Sequence, residues 1–297
     1  MTIPTWALDA CLDDETFAAA YEAVPAQRRA LLKTAIARQY AWWAPADCDG
    51  FHCVRTWTQG FESLERTAPV RVRILLFDDS CASPALLLAG LLPALTAGAG
   101  TTLVVHVREE QDPVVPDGVL AACELAGQEA VAELSRSEVH ELCRALARGT
   151  ESCAILALGR MSERVPPDFA DGFQRRVRSV AAPAGIAVLL DGTDQDADLA
   201  ALAFAHPGAR FWVAGSKIAL PDERFRYLGA NFDDLFATAA SACFVPRARA
   251  EEALERFPLV FSAGHEACWL LPDLGTGFFQ IRGLAWRSPE ERQTEDE

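Results

Sequence analysis

The stretch of sequence that decides the fold covers residues 70–109, VRVRILLFDDSCASPALLLAGLLPALTAGAGTTLVVHVRE. Its first part is continuously apolar from Ile74 to Phe77, as is typical of a strand buried on both faces, and Asp78-Asp79-Ser80 ends that strand. Residues 101–107 form a second run of β-branched and apolar side chains. We therefore predict two buried strands, one on either side of an apolar segment.

The segment between these strands has the signals of a buried helix. Ser83 is positioned to cap it, and Pro84 stands at the first helical position, where a missing N–H costs nothing. Six leucines cover a wide face of the helix, and Gly98 and Gly100 end it. A strand, a helix and a strand of these lengths most simply form a right-handed parallel crossover unit.

The rest of the chain continues this alternation. Helices are predicted over residues 12–45, where Pro25 opens a strong helix, and at residues 116–126, 136–148, 167–180, 196–205, 233–240 and 248–256. Strands are predicted at residues 153–158, 186–190, 210–214, 259–261, 268–271 and 278–281, and residues 46–69 are predicted to be irregular. Ser135 and Glu138 form a capping-box pattern, and we find no internal repeat in the sequence.

This pattern predicts an α/β fold, with a mainly parallel, doubly wound, Rossmann-like sheet, helices on both faces and a helical N-terminal segment. Four parts are expected along the chain. They are a helical segment at 1–69 packed on the core, a Rossmann-like domain at 70–216, a second, smaller α/β portion at 217–287, and a charged, disordered tail at 288–297.

Composition limits the function. The formal charge of −15 argues against nucleic acid or an anionic membrane as a partner, because both attract basic surfaces. No apolar run reaches about 18 residues without a break or a charge, and the N-terminus lacks a signal-peptide pattern. The nine cysteines are scattered, mostly inside apolar elements, so we expect buried, reduced thiols in a cytoplasmic protein.

One stretch brings metal-ligating side chains together: Cys48, Asp49, His52 and Cys53. A zinc site needs about four ligands in a recognisable pairing, and no second Cys or His pair stands nearby. We therefore expect a loop with half-buried thiols here, and no zinc.

Several segments resemble the histidinol dehydrogenase and aldehyde dehydrogenase families. Residues 82–98 and 102–107 resemble the opening nucleotide-fold unit that both families share. Further along, GTES at residues 149–152 resembles the GTE[ST] turn of histidinol dehydrogenases, and DLAALAFAHPGAR at residues 198–210 resembles their DLLAQAEHDPDAR. The similarity covers residues 70–215. It implies a Rossmann-like fold and, for an active member, NAD or NADP as the cofactor.

The departures from these families fall on the positions that carry their chemistry. The resemblance assigns zinc binding to the positions of Leu202 and Ala205, where apolar side chains cannot coordinate a metal, and Phe204 replaces the Glu between them. His206 is one position later, which turns it about 100° around a helix. We therefore expect no zinc at this position either.

The positions expected to hold a nucleotide differ as well. Asp78-Asp79 stand where a Gly-rich turn is expected, and two carboxylates beside a helix N-terminus repel a pyrophosphate. Val107 stands where aldehyde dehydrogenases have a lysine that holds the cofactor ribose.

Two residues are candidates for catalysis. Cys243 lies in a segment that resembles the nucleophile segment of aldehyde dehydrogenases, although a buried strand cysteine is the simpler interpretation. His265 takes the His position of the PEH segment of histidinol dehydrogenases, whose Glu corresponds to Gly264; a structural histidine is again simpler.

Five residues are candidates for cofactor binding. Ser80 and Ser83 follow the first strand, Asp191 ends the strand at 186–190, and Gly215-Ser216 follow the strand at 210–214 in a turn suited to anions. The carboxyl ends of parallel strands line the ligand crevice in folds of this kind, although an ordinary turn is the alternative for Asp191 and for Gly215-Ser216.

Three functions stay open. The first is a divergent pseudoenzyme that kept the scaffold, lost zinc-dependent dehydrogenase chemistry and binds a small molecule or a protein partner. The second is an NAD(P)-dependent aldehyde oxidoreductase with Cys243 as its nucleophile. The third is a structural subunit of a homo-oligomer or a larger complex. We favour the first, because the apolar framework is intact while the zinc ligands and the glycine turns are lost together.

Overall fold

The computed structural model describes residues 3–43, 50–108, 115–159, 165, 169, 174–183 and 185–288, and the statements below refer to these residues. The α-helices in them are α1 (Thr5–Asp9), α2 (Asp14–Ala23), α3 (Ala26–Trp43), α4 (Pro84–Thr96), α5 (Asp117–Leu125), α6 (Arg136–Arg148), α7 (Leu199–Ala205) and α8 (Ala250–Leu254). The strands are β1 (Phe51–Trp57), β2 (Phe61–Pro69), β3 (Val72–Phe77), β4 (Thr101–Arg108), β5 (Val131–Ser135), β6 (Cys153–Leu158), β7 (Arg175–Val180), β8 (Ile186–Leu190), β9 (Phe211–Gly215), β10 (Phe225–Gly229), β11 (Ala242–Phe244), β12 (Val260–Phe261) and β13 (Gln280–Arg287).

Two five-stranded sheets, both entirely parallel, form the framework. The first sheet has the order β5-β4-β3-β6-β7, and the second has the order β10-β9-β8-β11-β12. In each sheet the earliest strand is central, the next two strands extend to one side and the last two to the other. The predicted doubly wound α/β fold is confirmed, and the same strand order occurs twice although the sequence shows no repeat.

The predicted unit at 70–109 is confirmed in its details. Strands β3 and β4 pair in parallel from Val72 opposite Thr101 to Phe77 opposite His106. Between them, the hydroxyl of Ser83 caps α4 by accepting from the Leu86 amide at 3.2 Å. Gly90 lets α4 approach the sheet, because a Cβ there would lie 2.7 Å from a methyl group of Leu156.

A single apolar core joins the two sheets. It includes Leu75 and Leu156 of the first sheet, the buried leucines of α4, and Val188 and Phe244 of the second sheet. A second cluster covers the other face of the first sheet, and a third covers the other face of the second sheet. Both sheets are thus covered on both faces, as predicted. Within the described residues, no helix is long and apolar enough to cross a membrane.

The prediction of an irregular segment at 46–69 is wrong. Strands β1 and β2 form an antiparallel hairpin, and β13 adds a third strand beside β2. Most of β1 is exposed, so the burial pattern that would announce a strand is missing from its sequence. Cys48 and Asp49 lie outside the described residues, while His52 and Cys53 are part of β1.

The helix predicted at 167–180 is also wrong where the structure describes it. Residues Arg175–Val180 form β7, the edge strand of the first sheet, in parallel pairing with β6. Its arginines are only half buried, and an edge strand tolerates such charges, so the segment lacked the apolar run of the other strands.

Smaller differences occur elsewhere. Residues 268–271 are mostly buried but form no strand, and the helix predicted at 233–240 is reduced to a 3-10 turn at Phe232–Leu235. Strand β5 was not predicted from the sequence. The domain boundary at 216/217 stays a prediction; the second sheet takes strands from both sides of it. Apart from Ser288, the predicted tail lies outside the described residues.

One buried cation organises the central unit. Arg73, on β3, is only 1% exposed. Its guanidinium donates to four carbonyl oxygens: Val70 at 3.1 Å, Ala94 at 2.5 Å, Gly98 at 2.8 Å and Ala99 at 3.3 Å. Three of these follow or end α4, where helix carbonyls lack partners and the helix dipole favours a cation. Burial lowers the pKa of Arg73 to about 10, which leaves it charged at neutral pH.

We expect replacement of Arg73 by Met to lower the free energy of unfolding by about 3 kcal/mol, because buried carbonyls would lose a charged donor. The matched control is Arg71→Met, two residues earlier and exposed, which should change it by less than about 0.5 kcal/mol. Urea denaturation followed by circular dichroism measures both. Equal effects of the two variants would contradict the role given to Arg73.

Candidate functional site

An open cleft of about 620 Å³ lies at the carboxyl ends of the second sheet. Its floor is the end of β8, at Leu189 and Leu190. Three of the five residues predicted to bind a cofactor line it: Asp191 after β8, Gly215 at the end of β9, and Ser216. The structure therefore brings these three together at the edge where doubly wound sheets bind ligands.

Glycine is required in the turn that shapes this cleft. Gly215 has a φ of +93°, and a Cβ there would lie 2.0 Å from the carbonyl oxygen of Leu190. The amide of Ser216 donates to that same oxygen at 2.7 Å, and the hydroxyl of Tyr227 donates to the Gly215 carbonyl at 2.8 Å. The first bond holds the end of β9 against the end of β8, and the second holds it against β10.

The loop that carries Asp191 is held by another carboxylate. Asp196 accepts from the amides of Asp191 at 2.8 Å, Gly192 at 2.7 Å and Thr193 at 3.2 Å. The side chain of Asp191 is exposed and has no hydrogen-bond or ion-pair partner among the described residues. Asp191 thus presents a carboxylate that is available to a ligand, on a loop whose backbone is held by hydrogen bonds to Asp196.

The opposite wall is also acidic. Asp233 is exposed there, and Glu252 forms an ion pair with Arg249, whose Nε lies 2.9 Å from a Glu252 carboxylate oxygen. Arg249 also lies over the ring of Phe232, with its guanidinium carbon 5.0 Å from the ring centre. Because Arg249 and Glu252 cancel, Asp191 and Asp233 leave a net negative charge on the cleft.

The two serines predicted to bind a cofactor lie elsewhere. Ser80 follows β3, and both its amide and its hydroxyl donate to one carboxylate oxygen of Asp78. It lines a separate cavity of about 280 Å³ that includes Gly159 and Arg210. A pyrophosphate at the end of β3 would meet the Asp78 and Asp79 carboxylates and an amide that is already bonded, so these residues do not fit a dinucleotide.

Ser83 has a structural role. It is buried, and besides capping α4 its hydroxyl donates to the carbonyl of Ala205 at 2.7 Å. Ala205 is the last residue of α7, so this hydroxyl joins the start of α4 to the end of α7. Both bonds are internal, which argues against the predicted cofactor contact.

The positions matched to zinc ligands are filled with apolar side chains. Leu202 and Ala205 are fully buried in the shared core. The neighbouring cavity, lined by His206 and Ser83, measures only about 10 Å³. In the described parts of the chain, no group of three or more His, Cys, Asp or Glu side chains could hold a metal ion. These residues do not fit zinc.

His206 is buried beside this filled space. Its Nε2 lies 3.1 Å from the Glu266 carbonyl oxygen, its Nδ1 has no partner in the described structure, and its ring lies 5.2 Å from that of Trp269. Burial lowers the pKa of His206 to about 4, with the bond to the Glu266 carbonyl opposing this shift. His206 is therefore a neutral core residue at physiological pH.

Neither predicted catalytic residue lines the cleft. Cys243 is fully buried in β11 between β8 and β12, and burial raises the pKa of its thiol far above the usual range, which disfavours the thiolate that a nucleophile requires. The Nδ1 of His265 lies 3.1 Å from the Ser262 carbonyl oxygen, in its own turn. Both assignments stay predictions that this geometry disfavours. All eight cysteines in the described residues are free.

Two polar clusters were not found by sequence reasoning. Glu266 is buried, and one of its oxygens accepts from the amides of Gly264 at 3.0 Å and Asp198 at 3.1 Å. His106 is fully buried at the end of β4, with Nε2 2.8 Å from Asp79 and Nδ1 3.5 Å from Glu133. Glu133 lies opposite His106 in the β4–β5 register, and its alternation with buried neighbours was the available signal.

Comparison with solved structures finds a similar fold. Histidinol dehydrogenase from Elizabethkingia anophelis matches 95% of this chain and 77% of its own, with a TM-score of 0.56 and 13% sequence identity. This chain has a histidinol dehydrogenase-like fold.

Two further matches have TM-scores of 0.49. They are a benzaldehyde dehydrogenase from Corynebacterium glutamicum, with 12% identity over 98% of this chain and 89% of its own, and a succinic semialdehyde dehydrogenase from Streptococcus pyogenes, with 11% identity over 87% and 81%. No protein-family model and no curated protein matches the sequence.

The buried His206 predicts a pH dependence of stability. The unfolded chain takes up a proton at this residue near pH 6.5 and the folded chain only near pH 4, so the unfolded state binds more protons as the pH falls between these values. We expect His206 to lower the free energy of unfolding by about 3 kcal/mol as the pH falls from 6.5 to 4.

Urea denaturation at several pH values measures this. In a His206→Asn variant the free energy of unfolding should fall less steeply with decreasing pH than in the wild type. A His52→Asn variant, changed on the exposed strand β1, should keep the pH dependence of the wild type. Parallel curves for wild type and His206→Asn would contradict the prediction.

Proposed function

We propose that this protein binds a small molecule in the cleft at the carboxyl ends of β8, β9 and β10, on a dehydrogenase scaffold that has lost zinc-dependent dehydrogenase activity. One observation carries the proposal: Asp191, Gly215 and Ser216 line one open cleft, whereas Leu202 and Ala205 are enclosed in the core. A ligand can reach the first set and no substrate can reach the second.

The charges of the cleft favour a particular class of ligand. Asp191 and Asp233 are acceptors without donors in the described structure, and the hydroxyl of Ser216 is unpaired there too. An anion would be repelled, and Arg249 is already engaged by Glu252. We infer a neutral or positively charged ligand with hydroxyl or amine donors.

The test uses ligand-observed NMR with a fragment set that contains matched cationic, neutral and anionic members. We expect the bound fragments to be cationic or neutral, and we expect Ser216→Trp to abolish their binding by filling the cleft. The matched control is Lys217→Trp, at the next residue, which is exposed and does not line the cleft. Preferential binding of anionic fragments, or equal effects of the two variants, would count against the proposal.

The proposed loss of zinc-dependent dehydrogenase activity is tested on the same protein. With added zinc, NAD and histidinol, we expect no NADH formation and no zinc retained after gel filtration. Stoichiometric retained zinc together with histidinol oxidation would end this part of the proposal. The second hypothesis, an aldehyde oxidoreductase using Cys243, gains no supporting observation because that thiol is enclosed on both sides by strands.

A second candidate function, that of a subunit in a homo-oligomer, is favoured by the sheet β1-β2-β13. The register puts Phe51, Trp57, Leu284 and Trp286 on one face, and Leu284 is 67% exposed and Trp286 79%. Monomers seldom expose such an apolar face. The same face carries the ion pair of Arg282 with Glu65, at 2.6 Å. The face carries apolar rings and charges of both signs. The rings of one copy can therefore pack against those of a second copy, and its charges can pair with opposite charges there.

We expect the wild type to be dimeric by light scattering, and Trp286→Glu to make it monomeric by burying a charge in the interface. Ala285→Glu is the matched control, since it puts the same charge on the opposite face of the same exposed strand. A monomeric wild type, or dissociation by both variants alike, would contradict this second candidate.

A further inference from the structure

A groove of about 460 Å³ lies at the amino ends of β9 and β10, at the opposite edge of the second sheet from the cleft. Its lining residues are Arg210, Phe211, Trp212, Glu223, Arg224 and Arg226. The strands are parallel, so the groove and the cleft are separated by the length of the sheet. Neither the predicted site residues nor the proposed function uses this groove.

The groove is positively charged on a chain whose formal charge is −15. Arg224 is neutralised by Asp222, which accepts from its Nε at 3.0 Å and its Nη2 at 2.7 Å. Arg210 and Arg226 are exposed, and neither has a hydrogen-bond or ion-pair partner among the residues that the structure describes. With Glu223 as the one carboxylate of the lining, an excess of positive charge is left over.

A half-buried aromatic ring lines the groove together with these charges. Trp212 is opposite Arg226 in the β9–β10 register. Its ring rests directly on Gly185, where a Cβ would lie 1.7 Å from a ring carbon. Because Gly185 has no side chain, the indole ring packs directly against the backbone at that residue. An indole fixed on one side, with unpaired guanidinium groups beside it, is the pairing of groups that binds planar anions.

We propose that this groove binds an organic anion in which a planar ring is joined to a phosphate or carboxylate. The ring packs against Trp212, and the anionic group is held by Arg210 and Arg226. Neither element suffices alone, because an exposed ion pair contributes little and a half-buried ring offers limited contact area. An acidic segment of a partner protein would meet the same guanidinium groups but needs no ring.

The probes are phenyl phosphate, benzoate, inorganic phosphate and phenol, each titrated by ligand-observed NMR. We expect phenyl phosphate or benzoate to bind at least about tenfold more tightly than both inorganic phosphate and phenol, since ring and anion act together. The stronger of the two identifies the anionic group. Binding by inorganic phosphate as tight as that of phenyl phosphate, or no binding of either ring-bearing anion, would overturn the proposal.

Three variants locate the binding. Arg226→Gln and Trp212→Leu should each weaken it about tenfold, by removing a charged donor and the ring contact respectively. Arg144→Gln, on the exposed face of α6, should leave it unchanged. Ser216→Trp should also leave it unchanged, which separates this groove from the cleft. Since Trp212→Leu risks the core packing, Arg226→Gln decides: an effect no larger than that of Arg144→Gln would overturn the proposal.

Discussion

The structure depends on a charge that is buried where the central helix ends. Arg73 stands in a strand whose other residues are apolar, and its guanidinium fills the gap between β3 and the last turn of α4. Without it, the buried carbonyls of Val70 and Ala94 would face the core without this charged donor. The strand, the helix and the turn that starts β4 are held in one arrangement by this side chain, and every other strand of the first sheet is built outward from that unit.

Much of this framework could be predicted from the sequence because its signals are local. The cap at Ser83, the proline after it and the capping box at Ser135 act within one turn of a helix, and each appears as predicted. Burial on both faces made β3 and β4 visible as apolar runs. Strands β1 and β7 were missed for the converse reason: exposed and edge strands carry polar side chains, so neither segment shows the apolar run of a buried strand.

The site was predicted only in part, because strand ends do not reveal which sheet they belong to. Asp191, Gly215 and Ser216 come together because β8 and β9 are neighbours, whereas Ser80 and Ser83 belong to the first sheet and use their hydroxyls internally. The buried contacts of His106 and Glu266 join residues tens of positions apart. The alternation at Glu133 is a local signal, but it does not identify His106 as the partner, so tertiary structure was needed to find these contacts.

The apolar core shared by the two sheets has a consequence for how the chain comes apart. Each half of the chain, built around one of the two sheets, contributes the inner face of its sheet to one shared apolar core, and the hydroxyl of Ser83 joins α4 of the first half to the end of α7 in the second. Unfolding of one sheet would expose the apolar inner face of the other sheet to water. The molecule should therefore lose both in a single cooperative step, and a proteolytic nick between the halves would leave two fragments that depend on each other to stay folded.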